Sequence, residues 1–140
     1  MYNHILVAIE HSSADQAVLT HIEQLAGLTR ARLLLVHVAD GWAARHFDDL
    51  KLRESEEIKD DRAYLEELCQ HFTARGVDAR GRLALGDPAT ELIKVAQEEQ
   101  VDLIAMSTHG HRFIADLLHG TTADRVRHLV KVPVLLLRAQ

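Results

Sequence analysis

The 140-residue chain is poor in the residues that would tie it to several common protein classes. Its single cysteine, Cys69, cannot form an intrachain disulfide, so a disulfide-stapled scaffold is excluded and a reducing, cytoplasmic setting is the expectation. Its 16 Lys and Arg form no dense basic run and the formal net charge is −5, so the electrostatic footprint of a nucleic-acid binder is missing. No apolar run is long enough to span a bilayer, and the first residues, "MYNHILVAIEHSS", carry no basic leader or small-residue cleavage site, so no membrane role is expected. Repeats and low-complexity segments are absent. What remains is a chain with 47% apolar residues, enough for one ordinary core, and the expectation is a single domain over 1–140.

Apolar runs of strand length occur at 5–9, 33–38, 102–106 and 132–137. Their continuity points to strands covered on both faces, as in a parallel sheet with helical crossovers. The stretch 77–85 differs, because Val77, Ala79, Gly81, Leu83 and Leu85 alternate with Asp78, Arg80, Arg82 and Ala84; one wet face predicts an edge strand. Helical spacing links Ala14, Val18, Ile22 and Leu25, with Ser13 and Gln16 as a capping box and Gly27 near the end. A longer stripe joins Ile58, Leu65, Leu68 and Phe72, and Gly76 stops it. A third helix opens with Asp87 as N-cap and Pro88 at the first helical position. The last opens at "GTTADRV", where Thr121 and Asp124 resemble a capping box and Ala123, Val126 and Val130 face one way. Charge-rich residues 40–54 read as a long loop or short irregular helix. The order predicts an α/β sandwich of three layers around a five-stranded parallel sheet.

In such sheets ligands bind beyond the carboxyl ends of the strands, where the strand order reverses. Two polar loops, "EHSS" after the first strand and "STHGHRFIADLLHGTT" after the fourth, fall at those ends. Glycines there admit a turn, or a close approach of backbone to phosphate. Gly120, Thr121 and Thr122 open a helix, whose free N–H groups and positive dipole end suit an anion; the threonine hydroxyls either contact it or cap the helix. For Gly110 a strand-ending turn is an equal explanation. His109, His111 and His119 lack a cysteine or carboxylate at ligand spacing, so no metal is expected. Glu10 has no paired acid or nucleophile near it in sequence, which argues against catalysis and for a hydrogen bond to a ligand. Trp42 and Phe47 either cover a bound base or anchor their loop.

Taken together, "HILVAIEHS", "LLLVHV", "GDPATELIKVA", "VDLIAMSTHG", "LLHGTTADRV" and "VPVLLLR" make the chain resemble the universal stress proteins over nearly its whole length. The resemblance implies a Rossmann-like, UspA-type fold with strand order 3-2-1-4-5. The family's ATP-binding branch carries a glycine, two residues, a second glycine, nine residues, then a third glycine followed by Ser or Thr. Here that pattern reads Ser107, Gly110, Gly120 and Thr121, with serine in place of the first glycine. Glu10 likewise stands where an aspartate is common. By resemblance, Ala8, Ile9, Glu10, Val38 and Met106 surround adenine and ribose, Ser107 borders the site, and Gly110, Gly120, Thr121 and Thr122 hold the phosphates. His111 and Arg112 lie where a basic group reaches the phosphate chain. The implied ligand is ATP or another adenine nucleotide, with or without Mg²⁺, held as a signal rather than turned over. Homodimers through the C-terminal edge strand are implied too. Two alternatives stay open: a dimeric interaction module with a degenerate site, and a weak ATP hydrolase or nucleotidyl-transfer enzyme.

Overall fold

The computed structural model describes residues 1–40, 51–108 and 121–139. Nine elements follow one another in these segments: β1 (His4–Ile9), α1 (Asp15–Thr29), β2 (Arg32–Asp40), α2 (Lys51–Ala74), β3 (Ala79–Gly86), α3 (Pro88–Glu98), β4 (Leu103–Thr108), α4 (Thr121–Leu129) and β5 (Val134–Arg138). The strands form one sheet in the order β3-β2-β1-β4-β5, and every pairing is parallel. The expected Rossmann-like α/β sandwich and strand order are therefore observed.

Two apolar layers explain the continuous strand runs. Ile5, Leu6 and Val7 are all fully inaccessible, although consecutive strand residues point to opposite faces, so both faces are covered. Val7, Ile9, Leu33 and Leu35 pack beneath Val18 and Ile22 of α1 and Leu65 and Phe72 of α2. On the other face, Leu6, Leu34, Val36, Ile104 and Met106 meet Ala89, Leu92 and Val95 of α3 and Val126 of α4. Each fully buried aliphatic side chain contributes about 1.5–3 kcal/mol relative to exposure.

The local signals at the helix ends hold unevenly. Asp87 caps α3 as expected, accepting from the Thr90 amide at 3.0 Å, with Pro88 in the first turn. Past α2 the chain turns at Gly76, where φ is +81°, and the Val77 amide returns to the Phe72 carbonyl. At α1 the expectation is corrected: Ala14 is the N-cap residue and no side chain caps it. Gly27 lies near the end of α1 as expected, and the helix is capped at Arg30 in the left-handed region, its amide bonded to the Ala26 carbonyl. The long loop or short irregular helix expected over 40–54 is corrected in part, since β2 runs to Asp40 and α2, a long helix, already includes residues 51–54; residues 41–50, with Trp42 and Phe47, lie outside the described residues. The edge position of β3 is observed, and its Arg80 and Arg82 pair with Glu98 and Glu99.

From β1 the chain moves outward through β2 to β3, then returns to place β4 on the other side of β1. The order reverses between β1 and β4, the position at which sheets of this kind bind ligands beyond the carboxyl ends of their strands.

Candidate functional site

The apolar residues of the candidate site lie, Ile9 apart, on one face of the sheet. Ala8 near the end of β1, Val38 near the end of β2 and Met106 in β4 all belong to the layer beneath α3 and α4, together with Ala123. Met106 is buried, whereas Ala8 and Val38 are half-buried. Ile9 belongs to the opposite layer, beneath α1 and α2, and is itself buried. Thr121 opens α4 and Thr122 is half-buried in its first turn. Gly110, His111, Arg112 and Gly120 lie outside the described residues, as do His109 and His119.

The polar half is the β1–α1 loop, and its organiser is a residue that pattern reading passed over. Asp15 is 1% exposed. Its carboxylate accepts from the amides of Glu10 at 2.7 Å, His11 at 2.9 Å and Ser12 at 3.3 Å. The Tyr64 hydroxyl of α2 donates to the same carboxylate at 2.8 Å. Four donors on one buried carboxylate satisfy the charge where water is excluded. Burial, followed by that hydrogen bond, pushes the Tyr64 phenol well above its ordinary range, so it remains a donor. His11 occupies the left-handed region at φ 61°, uncommon for a residue with a Cβ, and its ring stacks on Tyr64 with centroids 4.1 Å apart. Glu10 is exposed at the lip of this loop, with the Ser12 hydroxyl at 3.5 Å from its carboxylate.

Behind the loop, Asp61 of α2 sits between two histidines. One carboxylate oxygen lies 2.7 Å from His11 Nδ1, and the other lies 3.3 Å from His37 Nε2. His37 Nδ1 is 2.8 Å from the Ile9 carbonyl, so that nitrogen must carry a proton. The only sequence signal for His37 was a polar residue inside "LLLVHV". Asp61 gave none, since an acid on a charged helix ordinarily faces solvent.

Ser107 faces away from the apolar floor. Its hydroxyl donates to the Ala14 carbonyl at 2.8 Å, tying the end of β4 to the start of α1. It is absent from the described non-glycine residues with positive φ, which are His11, Arg30 and Gln100. The backbone there makes no demand for glycine. Nearby, Arg125 of α4 donates to Asp87 at 2.8 Å and to the Thr90 hydroxyl at 3.1 Å, joining the starts of α3 and α4. The Asp87 carboxyl is held below the usual range chiefly by the Thr90 hydroxyl, then by the Thr90 amide and by Arg125.

This arrangement offers an apolar wall, a lip of oriented backbone and a carboxylate at its rim. Among the described residues no group of three or more His, Cys, Asp or Glu is arranged to hold a metal ion. Nor is any helix there long and apolar enough to cross a membrane.

The fold recurs in known proteins. MJ0577 of Methanocaldococcus jannaschii, a universal stress protein, is 24% identical over 99% of this chain and 96% of its own. Its solved structure superposes with a TM-score of 0.83 at 23% identity, covering 100% of this chain and 98% of that one. A universal stress protein solved in complex with cAMP gives a TM-score of 0.73 at 22% identity, covering 99% and 98% of the two chains. The universal stress protein from Archaeoglobus fulgidus solved in complex with dAMP gives 0.71 at 22%, covering 96% and 97%. Some members of this fold thus hold adenine nucleotides. With the model of the Universal stress protein family matching residues 1–138, and the sheet order that its motifs imply observed, the chain belongs to the universal stress protein family.

Proposed function

We propose that this protein binds ATP or another adenine nucleotide as a regulatory switch, without robust turnover of its own. The observation that carries the reading is the convergence of Ala8, Val38 and Met106 on one apolar face at the point where the strand order reverses. A purine is flat and apolar on its faces, and these side chains suit it. Ile9 supports the floor from the opposite layer, and Glu10 accepts from ribose hydroxyls at the lip. Ser107 borders the site through its backbone, because its hydroxyl is engaged by Ala14. Gly110, Gly120, Thr121 and Thr122 take the phosphates, with His111 and Arg112 as cationic partners and Mg²⁺ as a companion ion. The cAMP and dAMP complexes of proteins with this fold support an adenine ligand.

Titration calorimetry with ATP, ADP and AMP tests this. Saturable binding is expected. Gly120→Val, which places a branched side chain beside the phosphate-facing amides, reduces it sharply while far-ultraviolet circular dichroism is preserved. Absence of heat with all three nucleotides overturns the reading in favour of an interaction module. Phosphate release by the purified protein supports a hydrolase instead.

The same reading takes residues 1–140 as one cytoplasmic domain that pairs with a second copy through β5. That strand is a sheet edge, and Leu136 is 38% exposed on it, while Leu135 and Leu137 pack toward the α1–α2 layer. Leu136→Lys should therefore shift light scattering from dimer to monomer. A wild-type monomer at high concentration removes the dimer.

A further inference from the structure

We infer that Asp15 closes the β1–α1 loop to phosphate and is thereby a specificity-determining residue: the protein takes adenine nucleotides phosphorylated on the 5′ side and discriminates against those with a second phosphate on the 3′ side of the ribose. The specificity rests on the nucleotide reading, with Glu10 at the ribose. The closure rests on the loop alone.

In parallel α/β sheets the turn from the first strand into the first helix is a ready place for an anion, because backbone N–H groups and the positive end of the helix dipole point to one spot. A left-handed residue tightens that convergence, since successive amides around it line one concavity. The loop after β1 has this form, with His11 at φ 61° between Glu10 and Ser12. Its concavity is already filled. The Asp15 carboxylate, 1% exposed, accepts from the Glu10 amide at 2.7 Å, the His11 amide at 2.9 Å and the Ser12 amide at 3.3 Å. Amides further along are committed as well: Ala14 donates to the Ser12 hydroxyl at 3.2 Å, Asp15 to the Ser12 carbonyl at 3.1 Å and Gln16 to the Ser13 carbonyl at 3.4 Å.

The chain's own carboxylate thus stands where a phosphate would. Displacing it would strip a buried charge of its donors, and setting a phosphate beside it would bring two anions together where water screens weakly. The Tyr64 hydroxyl fixes the carboxylate from the side of α2 at 2.8 Å. The His11 ring is engaged elsewhere, with Nδ1 2.7 Å from an Asp61 oxygen and its face on Tyr64. Phosphates are therefore kept away from this loop, and the ribose edge next to Glu10 takes hydroxyls only.

Inorganic phosphate tests the closure, followed by the amide NMR signals of residues 10–12. In the wild type these are expected to stay in place. In Asp15→Ala, which empties the concavity, they are expected to shift saturably. Saturable shifts in the wild type overturn the closure, and unmoved signals in a folded Asp15→Ala protein overturn Asp15 as its cause.

Calorimetry with AMP and adenosine 3′,5′-bisphosphate tests the specificity. The wild type is expected to bind the bisphosphate about tenfold more weakly than AMP, and Asp15→Ala to narrow that ratio to about twofold by gaining affinity for the bisphosphate. Lost structure alone does not produce such a gain. Equal affinities in the wild type overturn the specificity, and an unchanged ratio in the folded variant overturns its assignment to Asp15. If Asp15→Ala does not fold, the two wild-type measurements decide. If the wild type binds neither compound, the nucleotide reading fails and the specificity with it, while the phosphate titration still decides the closure.

Discussion

The two ends of β1 use the same device with different consequences. At its start, the Asp102 carboxylate accepts from the amides of Asn3 at 2.8 Å and His4 at 3.1 Å. At its finish, the Asp15 carboxylate accepts from three successive amides and a phenol. Asp102 is half-exposed, whereas Asp15 is buried, so only the second has no access to replacement water. Histidines differ in parallel. His4 is buried at the start, with Nδ1 3.2 Å from the Glu99 carbonyl and Nε2 without a partner among the described residues. His37 at the finish has the Ile9 carbonyl 2.8 Å from Nδ1 and an Asp61 oxygen 3.3 Å from Nε2. The difference teaches that the start of β1 is tied down by a carboxylate that water can reach, while the finish is organised by one that water cannot.

Breaking the finish should have the largest effect. Asp15→Ala leaves three loop amides and the Tyr64 hydroxyl without their acceptor in a place that excludes water. The expected loss is about 3 kcal/mol of unfolding free energy, read from urea denaturation, with the β1–α1 loop losing exchange protection first. A loss equal to that of an exposed site would remove Asp15 as the organiser.

The matching change at the start, Asp102→Ala, should cost less, about 1 kcal/mol, because water can reach the freed amides. Equal losses for the two aspartates would erase the contrast. Ser107→Gly sharpens it further. The glycine of the ATP-binding pattern removes the bond from Ser107 to the Ala14 carbonyl, so stability should fall by up to about 1 kcal/mol. Since φ is not positive there, glycine brings no backbone relief, and a more stable glycine variant would contradict the assigned bond.

The smallest effect at neutral pH is expected at His4. Burial, followed by the nearby positive charge of Arg32, lowers its pKa from 6.5. The unfolded chain therefore binds the proton more readily than the folded one. The sign follows: this contribution to stability is complete above pH 6.5 and declines as pH falls from there through the folded-state value. His4→Phe should change stability little at pH 8 and flatten the wild-type decline on the acid side. Thermal unfolding followed from pH 8 to pH 5 reads the slope; identical slopes in both proteins would exclude His4 as its source.

Local chemistry determined much of this molecule. Continuous apolar runs announced strands covered on both faces, alternation placed β3 at an edge, and Asp87 with Pro88 marked a helix start, because each depends on residues within one or two turns of each other. The motifs also revealed the family and suggested the residues proposed for the site. Tertiary structure alone decided the rest. It divided Ala8, Val38 and Met106 from Ile9 between two faces of the sheet. It overruled the Ser13 cap, since the neighbouring Asp15 is turned toward the preceding amides. It assigned the Ser107 hydroxyl to a carbonyl 93 residues away, and Asp61 to a histidine 50 residues away. No periodicity carries such information, because a hydrogen bond between distant segments depends on where the packed elements place two atoms, and that placement exists only once the apolar layers have closed.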